Sequence, residues 1–182
     1  MSTIRVAAAA TLFALAGGNA AAAGVPAGAM NKTITISFTA SGTGKTPDGP
    51  PRPFSTSVTR TVYVSSAGRL FMRHNAIANV AGKGQKSRGG DFDPAAQSEG
   101  KGGSFSFQGD KLVGVLPYAG GARQISATFD ANFSSCTASV IEGNAGSGSF
   151  KRKGPDGVVR EITNATTSGV TCSIQSGNVF AQ

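Results

Sequence analysis

The chain has 182 residues, among them 26 glycines, one histidine, two cysteines and no tryptophan, and its formal net charge is +8. Two thiols and one imidazole make a poor zinc site, and any histidine-dependent catalytic triad would have to use His74. The length fits one domain. The excess of positive charge favours anionic partners, although charges spread along a chain also serve solubility alone.

Residues 1–23 have the pattern of a secretory signal peptide. Arg5 gives a positive start, residues 6–16 form a short apolar run, and residues 20–23 are alanines that suit cleavage. The apolar run is well below the roughly 20 residues needed to span a bilayer. We therefore expect a mature protein that is periplasmic or secreted and does not span a membrane after signal cleavage. Residues 24–31 are small and are predicted to form a flexible N-terminal tail.

Alternation of apolar and polar residues predicts three strands in the first half of the mature chain, at residues 32–40, 55–65 and 69–78. A loop with four prolines at 47–53 separates the first two strands. Residues 81–102 are rich in glycine and lysine and show no apolar period. That composition predicts a long surface loop or a disordered segment.

Residues 103–140 are predicted to form an antiparallel meander. Phe105 and Phe107 share one strand face, and Gly109 with Asp110 forms a two-residue link that suits a tight hairpin. Farther on, short strands at 150–153 and 158–162 flank a Gly-Pro-Asp-Gly turn. The last strand is expected at about 170–175, with an extension towards residue 180 left open.

These elements predict an all-β domain over residues 32–182, a single antiparallel β-barrel or sandwich of about 8–10 short strands. Cys136 and Cys172 lie in alternating segments at positions that should face the core. Because an exported chain meets oxidising conditions, we expect these two cysteines to form a disulfide rather than a metal site.

The candidate binding residues are basic. The densest positive run is 151–153, and a second set lies in the predicted loop; together they could hold an anionic envelope component and are Lys151, Arg152, Lys153, Lys83, Lys86 and Arg88. Nucleic acid is not expected, because aromatic platforms are scarce and the phenylalanines fall at inward positions. A small lipophilic ligand inside the barrel is the other open possibility.

The residues that enzymes need are thinly represented. His74 lies in a predicted strand with Leu70 and Met72, and the acidic residues fall mostly in turns. We expect a non-catalytic protein without a cofactor. The alternatives left open are a hydrolase that uses His74 with a serine nucleophile and a purely structural envelope protein.

Overall fold

The computed structural model of the protein describes residues 24–80, 84–92, 104–118, 121–143, 149–153 and 157–181. The predicted signal peptide, residues 1–23, lies outside the described residues. Ten strands form in these ranges: β1 (Lys32–Lys45), β2 (Arg52–Val64), β3 (Leu70–Val80), β4 (Gly84–Phe92), β5 (Ser104–Gln108), β6 (Lys111–Tyr118), β7 (Gly121–Phe129), β8 (Cys136–Glu142), β9 (Ser149–Lys153) and β10 (Val159–Ser176). Within the same ranges no helix is long and apolar enough to cross a membrane.

The strands form two antiparallel sheets, which confirms the predicted all-β fold. One sheet has the order β4-β3-β2-β1-β10-β9, and the other is the meander β5-β6-β7-β8. The hairpin between β5 and β6 turns at Gly109, which adopts a φ of +65° easily because glycine has no Cβ. Gln108 pairs with Lys111, as predicted. The sheets meet where β8 lies against β10, and there Thr167 Oγ1 donates to the carbonyl oxygen of Val140 at 2.8 Å.

One hydrophobic core lies between the inner faces of the sheets. Alternation puts every second residue of β1 and β2 inward, and the meander supplies the opposing side chains. Full burial of a large apolar side chain contributes roughly 1.5–3 kcal/mol, so this layer supplies the main stabilisation. Its buried residues include Ile34, Ile36, Phe38, Val58, Val62, Phe107, Leu112 and Ile125.

The predicted disulfide is confirmed. Cys136 at the start of β8 is bonded to Cys172 in β10, with their Cα atoms 5.6 Å apart. Cys172 lies opposite Ile36 of β1 in register, so the bridge reaches the inward face of the larger sheet. The disulfide therefore fastens one sheet to the other beside the shared core.

Three segments differ from the sequence-based expectations. The predicted tail at 24–31 docks on the fold: Ala29 is fully buried, and the backbone N–H of Gly177 donates to the carbonyl oxygen of Asn31 at 2.7 Å. Part of the predicted loop at 81–102 is strand β4, which pairs with β3; the rest of that range lies outside the described residues. The last strand, β10, is also far longer than predicted and runs from Val159 to Ser176.

A tight turn joins β7 to β8 and is organised by Asp130. Its carboxylate accepts hydrogen bonds from the hydroxyl and the backbone N–H of Ser134 and from the hydroxyl of Ser135. These bonds favour the charged form and lower the pKa of Asp130 from 3.8 to about 2. Phe133, at a φ of +50°, places its ring against Phe129 in the same turn, with ring centroids 4.9 Å apart.

Replacement of Asp130 by asparagine should flatten the acid side of the stability profile. A carboxyl group whose pKa falls on folding stabilises the fold above its unfolded pKa, near 3.8, and this contribution is lost as the pH falls towards 2. Urea unfolding midpoints of the wild type and Asp130→Asn, measured between pH 5 and pH 2, should therefore converge at the acid end. A constant difference across that window would contradict the role given to this carboxylate.

Candidate functional site

The basic run 151–153 lies in strand β9, and its side chains point to different faces of the sheet. Lys151 and Lys153 are exposed to solvent, whereas Arg152 points inward with 13% of its side chain exposed. Of the loop residues, Lys86 and Arg88 lie in β4 in register with Ala78 and Ala76, and their side chains are not described; Lys83 lies outside the described residues. The structure therefore places three of the six predicted basic residues together on β9, with two different roles.

Arg152 belongs to a buried ionic cluster centred on Glu142. The Glu142 side chain, 1% exposed, accepts two hydrogen bonds from Arg123: Nε to Oε2 at 2.5 Å and Nη2 to Oε1 at 3.1 Å. Arg152 Nη1 donates to the same Oε1 at 3.0 Å from the other sheet. Glu142 thus links the two sheets through a paired, charge-assisted network.

Strand pairing explains how the cluster forms. Arg123 on β7 and Glu142 on β8 are directly opposite in the antiparallel register, so their side chains project from the same inner face. Next to them Gly143 has a φ of +75°, and a Cβ there would lie 2.8 Å from the Phe150 ring. The Arg123 guanidinium also lies over the Phe38 ring, 4.9 Å from its centroid, and a cation–π contact of this kind is stabilising in a desolvated site.

A third arginine completes the positive character of the cluster. Arg160 on β10 is opposite Arg152 in register and is 8% exposed, and its Nη1 donates to the carbonyl oxygen of Val158 at 3.2 Å. Gly44 leaves room for its stem, since a Cβ at Gly44 would lie 3.0 Å from Arg160 Cδ. These three guanidiniums and the single carboxylate of Glu142 carry a formal charge of +2.

The outer surface at this end of the larger sheet is also basic. Glu161 on β10 pairs in register with Lys45 on one side and Lys151 on the other. Lys153 extends the positive charge at the end of β9. Arg52 is exposed at the start of β2, where it has the inward phase and lies opposite Gly44, and Asp48 in the turn between β1 and β2 is acidic. We call the exposed residues Lys45, Arg52, Lys151 and Lys153 the basic end.

His74 is the residue on which the hydrolase alternative depends. It lies on the inward side of β3 opposite the buried Arg60. Apart from Lys32, Arg52, Arg60 and His74, the inward positions of β1, β2 and β3 hold apolar residues, threonine and glycine, and none of those described is a serine. These faces therefore supply no serine nucleophile for His74. No group of three or more metal-ligating side chains occurs within the described ranges either.

The side chains that would line a ligand cavity pack against one another instead. Phe38 and Phe107 are buried, and Phe105 and Phe129 pack against the same cluster. Phe105 lies across Gly114, where a Cβ would be 2.5 Å from the ring. At this point the ring of Phe105 fills the space that a side chain at position 114 would need.

Sequence reasoning did not connect Arg152 with the other residues of this cluster. Arg123, Glu142 and Arg160 each fall on the inward phase of a strand, and that phase is the one signal that could have identified them. A charged residue at such a position is rarely buried unless it is paired. The pairing depends on strand register within the smaller sheet and on contact between the sheets, which alternation does not predict.

Comparison of the chain with protein-family models, with curated protein sequences and with solved structures found no match. The residues of this chain are therefore the basis for any proposal about its function. Among them, the disulfide is typical of proteins that fold in an oxidising compartment.

Proposed function

We propose that this protein is a non-catalytic, exported protein, periplasmic or secreted, that holds an anionic envelope surface through its basic end. The observation that carries the proposal is the division of β9, which exposes Lys151 and Lys153 while Arg152 between them is fixed to the buried Glu142. The ionic cluster immobilises the strand. Two lysines are thereby presented on a rigid support.

The surface charge supports an electrostatic mode of binding. Four exposed cations form the basic end, against the acidic side chains Asp48 and Glu161 nearby. Basic residues near an anionic membrane surface contribute about 1 kcal/mol each, and the attraction falls off within a Debye length. Lysines also suit the edge of a sheet, where they prevent pairing with other chains, so solubility alone is the competing explanation.

Vesicle co-sedimentation separates these explanations. The mature protein should bind vesicles of phosphatidylglycerol and phosphatidylcholine but not vesicles of phosphatidylcholine alone, and binding should weaken steeply with added salt. The double variant Lys151→Gln/Lys153→Gln should bind roughly 10- to 30-fold more weakly, because two cations are removed.

The matched control is Lys32→Gln/Lys111→Gln, which removes the same charge from the opposite end of the sheets. This variant should keep most of the wild-type affinity. Equal losses of vesicle affinity in both variants would mean that binding depends on net charge alone, and would contradict a role for the basic end. Absence of vesicle binding would favour the structural alternative.

A further inference from the structure

A second surface, far from the basic end, combines aromatic rings with arginines. Tyr63 and Phe71 are paired across β2 and β3 on the outer face, with ring centroids 6.2 Å apart and planes inclined by 28°. The Arg69 guanidinium lies over Phe71 at 5.4 Å, and that of Arg73 lies over Phe180 at 4.6 Å. We call these five residues the aromatic–arginine patch.

The patch corrects one sequence-based expectation, that phenylalanines fall at inward positions. On β3 the inward residues include Met72 and Ala76, and Phe71 has the opposite phase. Its ring and that of Tyr63 are partly exposed, and Arg69 and Arg73 are exposed. The protein therefore presents stacked rings and guanidiniums to solvent on one rigid sheet face.

Hydrogen bonds hold parts of this patch in place. The Tyr63 hydroxyl is 3.4 Å from Asn31 Oδ1. The backbone N–H of Phe180 donates to Asn178 Oδ1 at 2.9 Å in the one-turn 3-10 helix that begins at Val179. A platform fixed before binding loses less conformational entropy when a ligand arrives.

The outer face continues from the patch as rows of hydroxyl side chains. Neighbouring strands are about 4.8 Å apart, and same-face residues along a strand are roughly 6.6 Å apart. Ser37 Oγ and Thr59 Oγ1 lie 3.2 Å apart within these rows. The outward positions on β1 and β2 are Thr35, Ser37, Thr39 and Ser41, and Thr61, Thr59, Ser57 and Ser55.

From this arrangement we infer that the outer face of β1, β2 and β3 binds an acidic polysaccharide. The rings can accept the apolar face of a sugar, the hydroxyl rows can exchange hydrogen bonds with sugar hydroxyls, and a guanidinium can bind a uronate carboxylate through two parallel hydrogen bonds. Arg69 is exposed and lies beside the paired rings, so it is the residue assigned to the carboxylate. A single-stranded nucleic acid would need cations along its track, and the outward track of β1 and β2 carries hydroxyls instead.

The patch and the basic end are independent surfaces. Lys32, near the patch, and Lys45, at the basic end, are the two ends of the 14-residue strand β1, roughly 40 Å apart along an extended strand. Either surface can fail its test while the other passes.

The test is titration of the mature protein with an oligogalacturonate, with neutral dextran and with a single-stranded DNA oligonucleotide. The oligogalacturonate should bind and dextran should not. Arg69→Gln and Phe71→Ala should each weaken oligogalacturonate binding about 10-fold or more, since each removes a principal contact. Ile141→Ala, an exposed apolar change on the smaller sheet, and Lys151→Gln/Lys153→Gln should leave the affinity unchanged.

Thermal unfolding of each variant should stay close to wild type, and Arg69→Gln, an exposed substitution, keeps the test valid if Phe71→Ala does not fold. Undiminished binding by Arg69→Gln would overturn the inference, as would a loss confined to the lysine double variant. Tighter binding of DNA than of the oligogalacturonate, with the same dependence on Arg69, would assign the patch to nucleic acid and would overturn it too.

Discussion

Replacement of Glu142 by alanine should lower the free energy of unfolding by about 3–5 kcal/mol. The change removes the one carboxylate shared by Arg123 and Arg152, and Arg123, 2% exposed, would be left as a buried charge without its bidentate partner. Urea unfolding followed by far-UV circular dichroism gives the value directly, and the transition should move to lower urea without a large change in slope.

Glu161 provides the matched control for this prediction. It lies on the neighbouring strand and is exposed, so Glu161→Ala should change the stability by no more than about 0.5 kcal/mol. The double variant Arg123→Met/Glu142→Leu, in which apolar side chains of similar size replace the pair, should recover much of the loss. A small effect of Glu142→Ala would show that solvent reaches the cluster and would contradict its assigned role as a link between the sheets.

Removal of the disulfide should have an effect of similar size. The bond closes a segment with a sequence separation of 36, for which the loop-entropy relation gives about 3–4 kcal/mol of stabilisation. Cys136→Ala/Cys172→Ala should therefore unfold at much lower urea than the oxidised wild type. The reduced wild type, kept in excess dithiothreitol, is the control and should behave like the double variant. A loss below about 1 kcal/mol would mean that contacts between β8 and β10 hold the sheets together unaided.

Alternation predicted most strands because their inward faces are regularly apolar, as in β1 with Ile34, Ile36 and Phe38. It failed at β4, since a glycine-rich strand at a sheet edge can form through backbone hydrogen bonds without an apolar stripe. Alternation also predicted a last strand that is shorter than β10 is in the structure. Register shifts opposite β1 interrupt the alternation there, and Asn164 and Gly169 adopt positive φ at these points.

The candidate surfaces were harder to predict than the fold. The run at 151–153 is visible in the sequence, and alternation puts Arg152 on the opposite face from the two lysines, but its ion pair with Glu142 in the other sheet is not visible there. The aromatic–arginine patch does not correspond to one continuous stretch of sequence, because Tyr63 and Phe71 become neighbours through the β2–β3 pairing. Local patterns specify which face a side chain occupies, whereas partners on other strands follow from tertiary register.

The order of the larger sheet has a consequence for how the chain acquires its structure. The neighbours β1 and β10 are the first and last described strands, yet they pair along most of β1, as at Ile36 with Cys172. Hairpins such as β2–β3 can form early, whereas the β1–β10 pairing can form only once the last strand is present, which makes folding slow. While the chain emerges from its N-terminus onwards, the edge of β1 that pairs with β10 stays open until β10 has emerged. Its apolar stripe is then exposed to other chains, which makes this interval the one in which a holding chaperone would be most useful.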